Sequence, residues 1–374
     1  MKLFVCGDIV NRTSGLGFVG DDLKRTIKES DYAVCNFEGP ELREGQKALC
    51  PHQEAGTAAY LKEVGFDLML LSNNHITELG ADGLRYSIDV IKRAGADYIG
   101  AGFSWEEAYN PLIRKIDGIT FGFINICEAQ EGQYLTPEQP YGYAWMGYKS
   151  LFDDVKSLSE QVDHVVVFCH AGLEHYVIPL PEIRDLYQRL CDAGASAVIG
   201  GHTHSAQGYE HYHGKLIVYS LGNFFFPYPD NRWSEDSISY SLSVEFNQQG
   251  IESVRPTHHY VNNGAVELLN DCSKQVDLKV LCNVLDESYI QKATIMCVDA
   301  YNNLCSRLLA EATCGIEANT LFQQVKNAIR YCIFRKKLVI DNKQFRKSLV
   351  LRLFENETYR WTIIRALKSV QRSN

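Results

Sequence analysis

From the first residue to about position 265, short β-branched or aromatic runs alternate with amphipathic helical patterns. The runs are "KLFVCGDIV", "YAVCNFEG", "FDLMLLSNNH", "DYIGAG", "TFGFINIC", "HVVVFCHAG", "SAVIGGHTH" and "KLIVYSLGNFFF". Strands that are apolar almost throughout belong in a sheet covered on both faces, so this order predicts an α/β architecture with a mostly parallel, buried sheet. The helix candidates between them include "AGTAAYLKEVG", "GADGLRYSIDVIKRAG" and "PEIRDLYQRLCDAG", the last two closed by an Ala-Gly that suits a helix C-terminus. Two later runs, "SISYSLSVEF" and "IESVRPTHHYV", follow one another with no helix between them and predict an antiparallel portion of sheet. After about residue 270 the texture turns helical. The expected organisation is therefore an α/β domain over 1–268 and a mainly helical, basic region over 269–374.

With 45% hydrophobic and 22% charged residues in 374, the chain has the profile of a globular protein with one large domain and an appendage. A net charge of −9 excludes wholesale nucleic-acid binding, but it hides an asymmetry. Residues 325–374 carry thirteen Lys and Arg against three acids, which leaves −19 on the part before them. Within that tail, "IRYCIFRKKLVIDNKQFRKSLVLRLF" mixes basic and apolar residues at near-helical spacing. A helical subdomain showing its basic face to solvent is the preferred reading, and peripheral contact with an anionic membrane is the other. The chain enters a strand-like segment at once and has no apolar window of membrane-spanning length, so neither a signal peptide nor an anchor is expected, and a cytoplasmic location follows. The twelve cysteines form no CxxC pair, and Cys6, Cys35, Cys127 and Cys169 sit inside apolar runs, as reduced core thiols do.

Ligands of open α/β sheets gather where the carboxyl ends of the strands run into loops. Here "LFVCGD" ends in Asp8, "AVCNFE" in Glu38, "LMLLSNNH" in Asn74 and His75, "VVVFCH" in His170, and "AVIGGHTH" in His202 and His204. Singly, each has a structural reading as a turn former or a satisfied core residue. Jointly, carboxylates, an amide and imidazoles at corresponding strand ends point to a divalent metal site. Such a mixed oxygen and nitrogen set suits manganese, iron or zinc better than magnesium or calcium. The glycines Gly200 and Gly201 are expected to permit a tight turn that brings both imidazoles inward. The glycine-rich "GLGFVG" at 15–20 reads as the loop after Asp8, and His258 and His259 read as structural.

The blocks "GDI", "NFEGP", "SNNHITELG", "HAGLEHY", "GGHTHSAQGYE" and "YSLGNFFF" run in this order through roughly residues 1–227. Together they resemble the CapA-type capsule (poly-gamma-glutamate) biosynthesis family, a branch of the calcineurin-like metallophosphoesterase superfamily. The basic C-terminal part matches none of it. The resemblance implies a four-layered α/β/β/α sandwich, here with a C-terminal helical extension, and two divalent metal ions. By position, Asp8 would hold the first metal and Glu38 would bridge both. Asn74, His170 and His202 would hold the second, and His204 would return to the first. His75 would stay off the metals and meet the substrate, and Glu174 would join it in the chemistry. Asn36, Asn73, Gln207, Glu210 and Asn223 would touch the ligands or the substrate.

Several residues depart from the family pattern. The initial Asp-x-His is reduced to Gly7-Asp8, which takes an imidazole from the first metal. His202-Thr203-His204 replaces His-Pro-His, Ala171 stands in place of a Trp, and Glu78 in place of an Asp. The expected activity is metal-dependent hydrolysis of a phosphoester in a cytosolic sugar or a glycan or capsule intermediate, by a metal-activated water. The alternative is a component of capsule polymer synthesis that acts on an amide or polyanionic polymer, or a metal-bearing subunit without catalysis. The expected ligand is anionic in either case.

Overall fold

A computed structural model of the chain describes residues 1–12, 15–130, 133–227, 238–306 and 352–371. The strands are β1 (Lys2–Ile9), β2 (Tyr32–Phe37), β3 (Leu68–Leu70), β4 (Asp97–Ile99), β5 (Ala101–Gly102), β6 (Leu112–Ile116), β7 (Ile119–Cys127) and β8 (Gly142–Tyr143). They continue with β9 (His164–His170), β10 (Ala197–Gly201), β11 (Tyr209–Tyr212), β12 (Lys215–Val218), β13 (Asn223–Phe225), β14 (Ile238–Phe246), β15 (Ile251–Asn262) and β16 (Ala265–Leu268).

The first large sheet has the order β16-β15-β14-β1-β2-β3-β4, with β13 beside the end of β1. Its β1 to β4 pair in parallel, and β14, β15 and β16 complete it antiparallel, as their helix-free succession predicts. The second has the order β11-β12-β10-β9-β7-β6, parallel in its centre with one antiparallel strand at each edge. A short β5-β8 pair lies apart from both.

Alternating side chains of the two sheets meet in one dry interior. Leu3, Val5, Val34 and Leu68 of the first sheet pack with Phe121, Phe123, Val166, Phe168 and Ile199 of the second. The opposite face of the first sheet, through Phe4, Cys6, Cys35 and Met69, packs on α1 (Asp21–Lys28), α2 (Thr57–Val64) and α3 (Gly80–Ala94). Beyond the short α4 (Trp105–Tyr109), the far face of the second sheet is covered by α5 (Leu151–Ser159) and α6 (Pro181–Ala193). These layers make the α/β/β/α sandwich, and inner strands such as β2, β3 and β9 are buried throughout because both of their sides are covered. Cys6, Cys35, Cys127 and Cys169 are free thiols buried in these layers.

The chain forms two compact units, Met1–Asp286 and Glu287–Asn374. The first extends past the compositional change near 268 because Leu278 and Leu281, on α7 (Leu278–Asn283), pack against the inter-sheet core. In the second, α8 (Tyr289–Ala300) runs into a π-helical turn at Tyr301–Cys305 and packs on α9 (Glu357–Gln371). Most of the basic, apolar tail falls on residues 307–351, outside the described residues. No described helix is long and apolar enough to cross a membrane.

Candidate metal centre

The parallel registers bring the carboxyl ends of the strands to one level. Asp8 pairs with Asn36 across β1 and β2 and with Asn223 across β1 and β13, while Gly201 and Cys127 both pair with His170. Polar side chains from both sheets therefore emerge at one end of the sandwich. Asp8, Glu38 and His170 are buried, and each places one ligand atom within 4.8 Å of the others.

Hydrogen bonds fix this cluster. The Asn36 side-chain amide donates to Asp8 Oδ1 at 2.7 Å and lies 3.2 Å from His170 Nδ1. Asn73 accepts from the Gly39 N–H at 3.2 Å and donates to the Phe37 carbonyl at 3.0 Å, which holds the turn that carries Glu38. Asn74 Oδ1, His170 Nε2 and His202 Nδ1 form a chain of close contacts at 3.0 and 3.1 Å. His204 Nδ1 lies 2.9 Å from Asn223 Oδ1 and 3.8 Å from Asp8 Oδ2. His75, partly exposed, has Nδ1 in a short contact with Glu78 and Nε2 3.8 Å from Glu38 Oε1. Glu174, on the loop after β9, lies 3.8 Å from His202 Nε2.

Two of the expected site residues do other work in the described structure. Gln207 donates to the Tyr176 carbonyl at 2.8 Å and so ties down the loop that bears Glu174. Glu210, on β11, accepts from Arg184 at 3.1 and 2.7 Å and from Gln188, contacts that join β11 to α6, and also from Tyr219 just after β12.

The glycines before the paired histidines act differently from the expectation. Gly200 and Gly201 lie within β10, and neither has a positive φ; His202 at φ 86° and His204 at φ 58° take the left-handed conformations themselves. Left-handed backbone is uncommon for a residue with a Cβ, and such conformations collect at functional sites. What the glycines supply is room. A Cβ on Gly200 would collide with the Tyr219 carbonyl, and one on Gly201 would come to 3.1 Å from Asp8 Oδ1.

Sequence reasoning missed Glu128. It directly follows β7 at the same level as His170, whose carbonyl accepts its N–H at 3.1 Å, and it is fully buried. Its Oε1 lies 3.8 Å from His202 Nε2 and accepts from Gln130 at 2.5 Å. The signal was present, since "TFGFINIC" is followed directly by an acid, as the other runs lead into polar donor residues. His258 and His259 lie on β15, where His259 Nε2 is 3.0 Å from the Ser241 hydroxyl.

The electrostatics describe a donor set made for a cation. Burial raises Glu38 well above the usual carboxylate range, and the charges of Asp8, Glu174 and Glu78 add to it. Burial likewise raises Asp8, against the opposing pull of His204 and the hydrogen bonds from Asn36 and His202. Burial pushes His170 well below the ordinary histidine range and His202 down to about 3, so both are neutral with lone pairs available at neutral pH. Burial also works to raise Glu174, but nearby histidines, His202 first, hold it below its usual value. Glu38 Oε1 is buried with no hydrogen-bond partner, an arrangement that costs stability unless a cation satisfies it. Buried carboxylates, neutral imidazoles and an orphaned carboxylate oxygen fit a divalent metal.

The sequence model for the bacterial capsule synthesis protein PGA_cap matches residues 3–228. The chain is 33% identical over 259 residues to the capsule biosynthesis protein CapA of Bacillus anthracis, which covers 65% of this chain and 61% of that protein. It is 25% identical over 255 residues to the PGA biosynthesis protein CapA of Bacillus subtilis (strain 168), covering 66% of each. The chain thus spans a little under two thirds of the length of these two relatives. Among solved structures, the 5'-nucleotidase precursor of Thermus thermophilus is similar with a TM-score of 0.44 and 16% identity, over 80% of this chain and 59% of that one.

Proposed function

The chain belongs to the PGA_cap family of bacterial capsule synthesis proteins, and from that premise we propose that its strand-end cluster holds two divalent metal ions and hydrolyses a phosphoester in a sugar, glycan or capsule intermediate. The observation that carries the reading is the buried Asp8-Glu38-His170 group with its unpartnered Glu38 oxygen, surrounded by Asn74, His202 and His204. Asp8, Glu38 and His204 would hold one ion and Glu38, Asn74, His170 and His202 the other, with manganese, iron or zinc suited to these donors. When bound, such a pair supplies an activated water and positive charge for the phosphoryl oxygens.

The chain's own groups do the rest. His75 stands at the edge of the cluster with Nδ1 held by Glu78, which keeps the ring oriented with Nε2 toward the cluster. It is placed to give a proton to the oxygen that leaves when the phosphorus–oxygen bond breaks. Glu174, partly exposed beside His202, is placed to accept a hydrogen bond from the substrate or from water. Asn36, Asn73 and Asn223 hold Asp8, Glu38 and His204 in place through the contacts described above.

The names of the Bacillus relatives favour a second reading, in which the same metal centre serves capsule polymer synthesis by acting on an amide or polyanionic polymer, or without catalysis. Metal content by plasma mass spectrometry, on protein purified without chelator or nickel, separates the readings when combined with hydrolysis of a chromogenic phosphomonoester and phosphodiester in added manganese. Near two metals per chain with turnover supports the hydrolase. Metal without turnover favours the polymer reading, and failure to bind any divalent metal overturns both metal-based readings.

A further inference from the structure

We propose that Glu128 is a positioning residue of this centre, the fixed carboxylate that sets the orientation of His202 through the Gln130 amide. The inference rests on the metal-binding reading above and adds a residue from the end of β7 to it.

Glu128 is an acid with no exposed surface, directly after a strand that is buried along most of its length. Burying a carboxylate is costly unless its oxygens are engaged, so a buried acid beside a ligand cluster calls for an account. Its oxygens are engaged toward the site. Oε2 accepts from the Gly172 N–H at 3.4 Å, in the loop directly after His170, and Oε1 accepts from Gln130. The same Gln130 amide nitrogen also touches His202 Nε2, so the acid holds the amide that packs against the imidazole. Tyr143 braces the same segment, its hydroxyl donating to the Glu128 carbonyl at 3.2 Å and accepting from the Gln130 N–H at 3.2 Å.

The two nitrogens of His202 face different surroundings. Nδ1 lies 3.1 Å from His170 Nε2, which is itself 3.0 Å from Asn74 Oδ1, and these are the donor atoms assigned to one ion. Nε2 faces away, toward Glu128 Oε1 and Glu174 Oε1, both at 3.8 Å. Groups that pack behind a metal-binding imidazole fix the orientation of its ring, and here the Glu128 carboxylate holds the amide that does so. Of the two acids, Glu174 is partly exposed on a loop, whereas Glu128 is held by a strand end and a backbone N–H. Glu128 is therefore the fixed partner, and Glu174 is left for the substrate side.

The test is manganese titration by calorimetry of the full chain as wild type, Glu128→Gln and Glu174→Gln, with circular dichroism to check folding. Glu128→Gln keeps shape and removes charge. The expected result is a loss of metal affinity of about 10–100-fold in Glu128→Gln, against a much smaller change in Glu174→Gln. A Glu128→Gln protein that is folded and binds like wild type overturns this inference and leaves the metal-binding reading intact. If wild type binds no divalent metal, the metal-binding reading falls and this inference falls with it. Should Glu128→Gln not fold, Gln130→Leu in the same titration decides. A comparable loss of metal affinity supports the role, and wild-type affinity in a folded Gln130→Leu overturns it.

Discussion

The backbone N–H of His202 donates to Asp8 Oδ2 at 3.1 Å, joining residues 194 positions apart and belonging to different sheets. This bond holds a left-handed histidine against the acid that ends β1. The candidate metal centre is in this sense a seam between the two sheets, with Asp8, Asn36 and Glu38 on one side and Glu128, His170 and His202 on the other.

A buried, unpartnered carboxylate oxygen makes the metal-free seam costly, so metal is expected to raise stability. At a hundredfold excess over Kd the gain is about 2.7 kcal/mol, several degrees in Tm by scanning calorimetry. Glu38→Gln should change the sign of the comparison. In chelated protein it is expected to melt higher than wild type, because it removes a buried charge. With manganese it should melt lower, because the gain is gone. A variant less stable under both conditions counts against the assignment of Glu38 as a ligand.

Gly200 and Gly201 are adjacent yet should respond differently to alanine. At Gly200 the added methyl meets backbone, the Tyr219 carbonyl, and a loss of about 1–3 kcal/mol in urea unfolding is expected. At Gly201 the new methyl presses on the Asp8 side chain, so metal affinity should fall with little change in the chelated protein's stability. Equal effects of the two substitutions on metal affinity would contradict this division.

Glu210 and Arg184 form a bidentate, partly buried pair, and their bond together with that from Tyr219 holds Glu210 below the usual carboxylate range against the effect of burial. Glu210→Gln is expected to cost about 1 kcal/mol of stability and to leave manganese stoichiometry unchanged. Loss of bound metal in this variant would return Glu210 to the site.

His259 offers a pH signature away from the metal. Burial, reinforced by His258, pushes it down to about 3. Because its folded value lies below the ordinary histidine value near 6.5, its neutral form is compatible with the fold above that value, and stability is lost as pH falls from there toward 3. Wild type should therefore lose on the order of 3 kcal/mol more than His259→Gln between pH 7 and pH 4. The check is urea unfolding in the presence of chelator, where parallel curves for the two proteins would refute it.

Much of this was legible in the chain itself. The helix over Gly80–Ala94, closed by a left-handed Gly95, and the antiparallel pair β14 and β15 follow from local periodicity and capping, which short stretches of sequence carry whole. The polar residues at the strand ends stood out because Asp8, Glu38 and His170, each explicable singly as a turn former or core residue, recur together at corresponding positions. Glu128 carried the same signal and was passed over, since an acid after "TFGFINIC" also reads as the start of a loop.

The sequence by itself determined the α/β class, the strand ends and the kinds of donor atom offered, because alternation, apolarity and side-chain chemistry are local properties. The tertiary structure decided which of those ends converge. Glu210 and His202 sit eight residues apart in one signature block, yet one faces Arg184 and the other faces Asp8. It also assigned the left-handed backbone to His202 and His204 and left Gly200 and Gly201 the task of close approach. The physical reason is that register and packing between two separate sheets fix which side chains share a volume, and neighbours along the chain do not specify that.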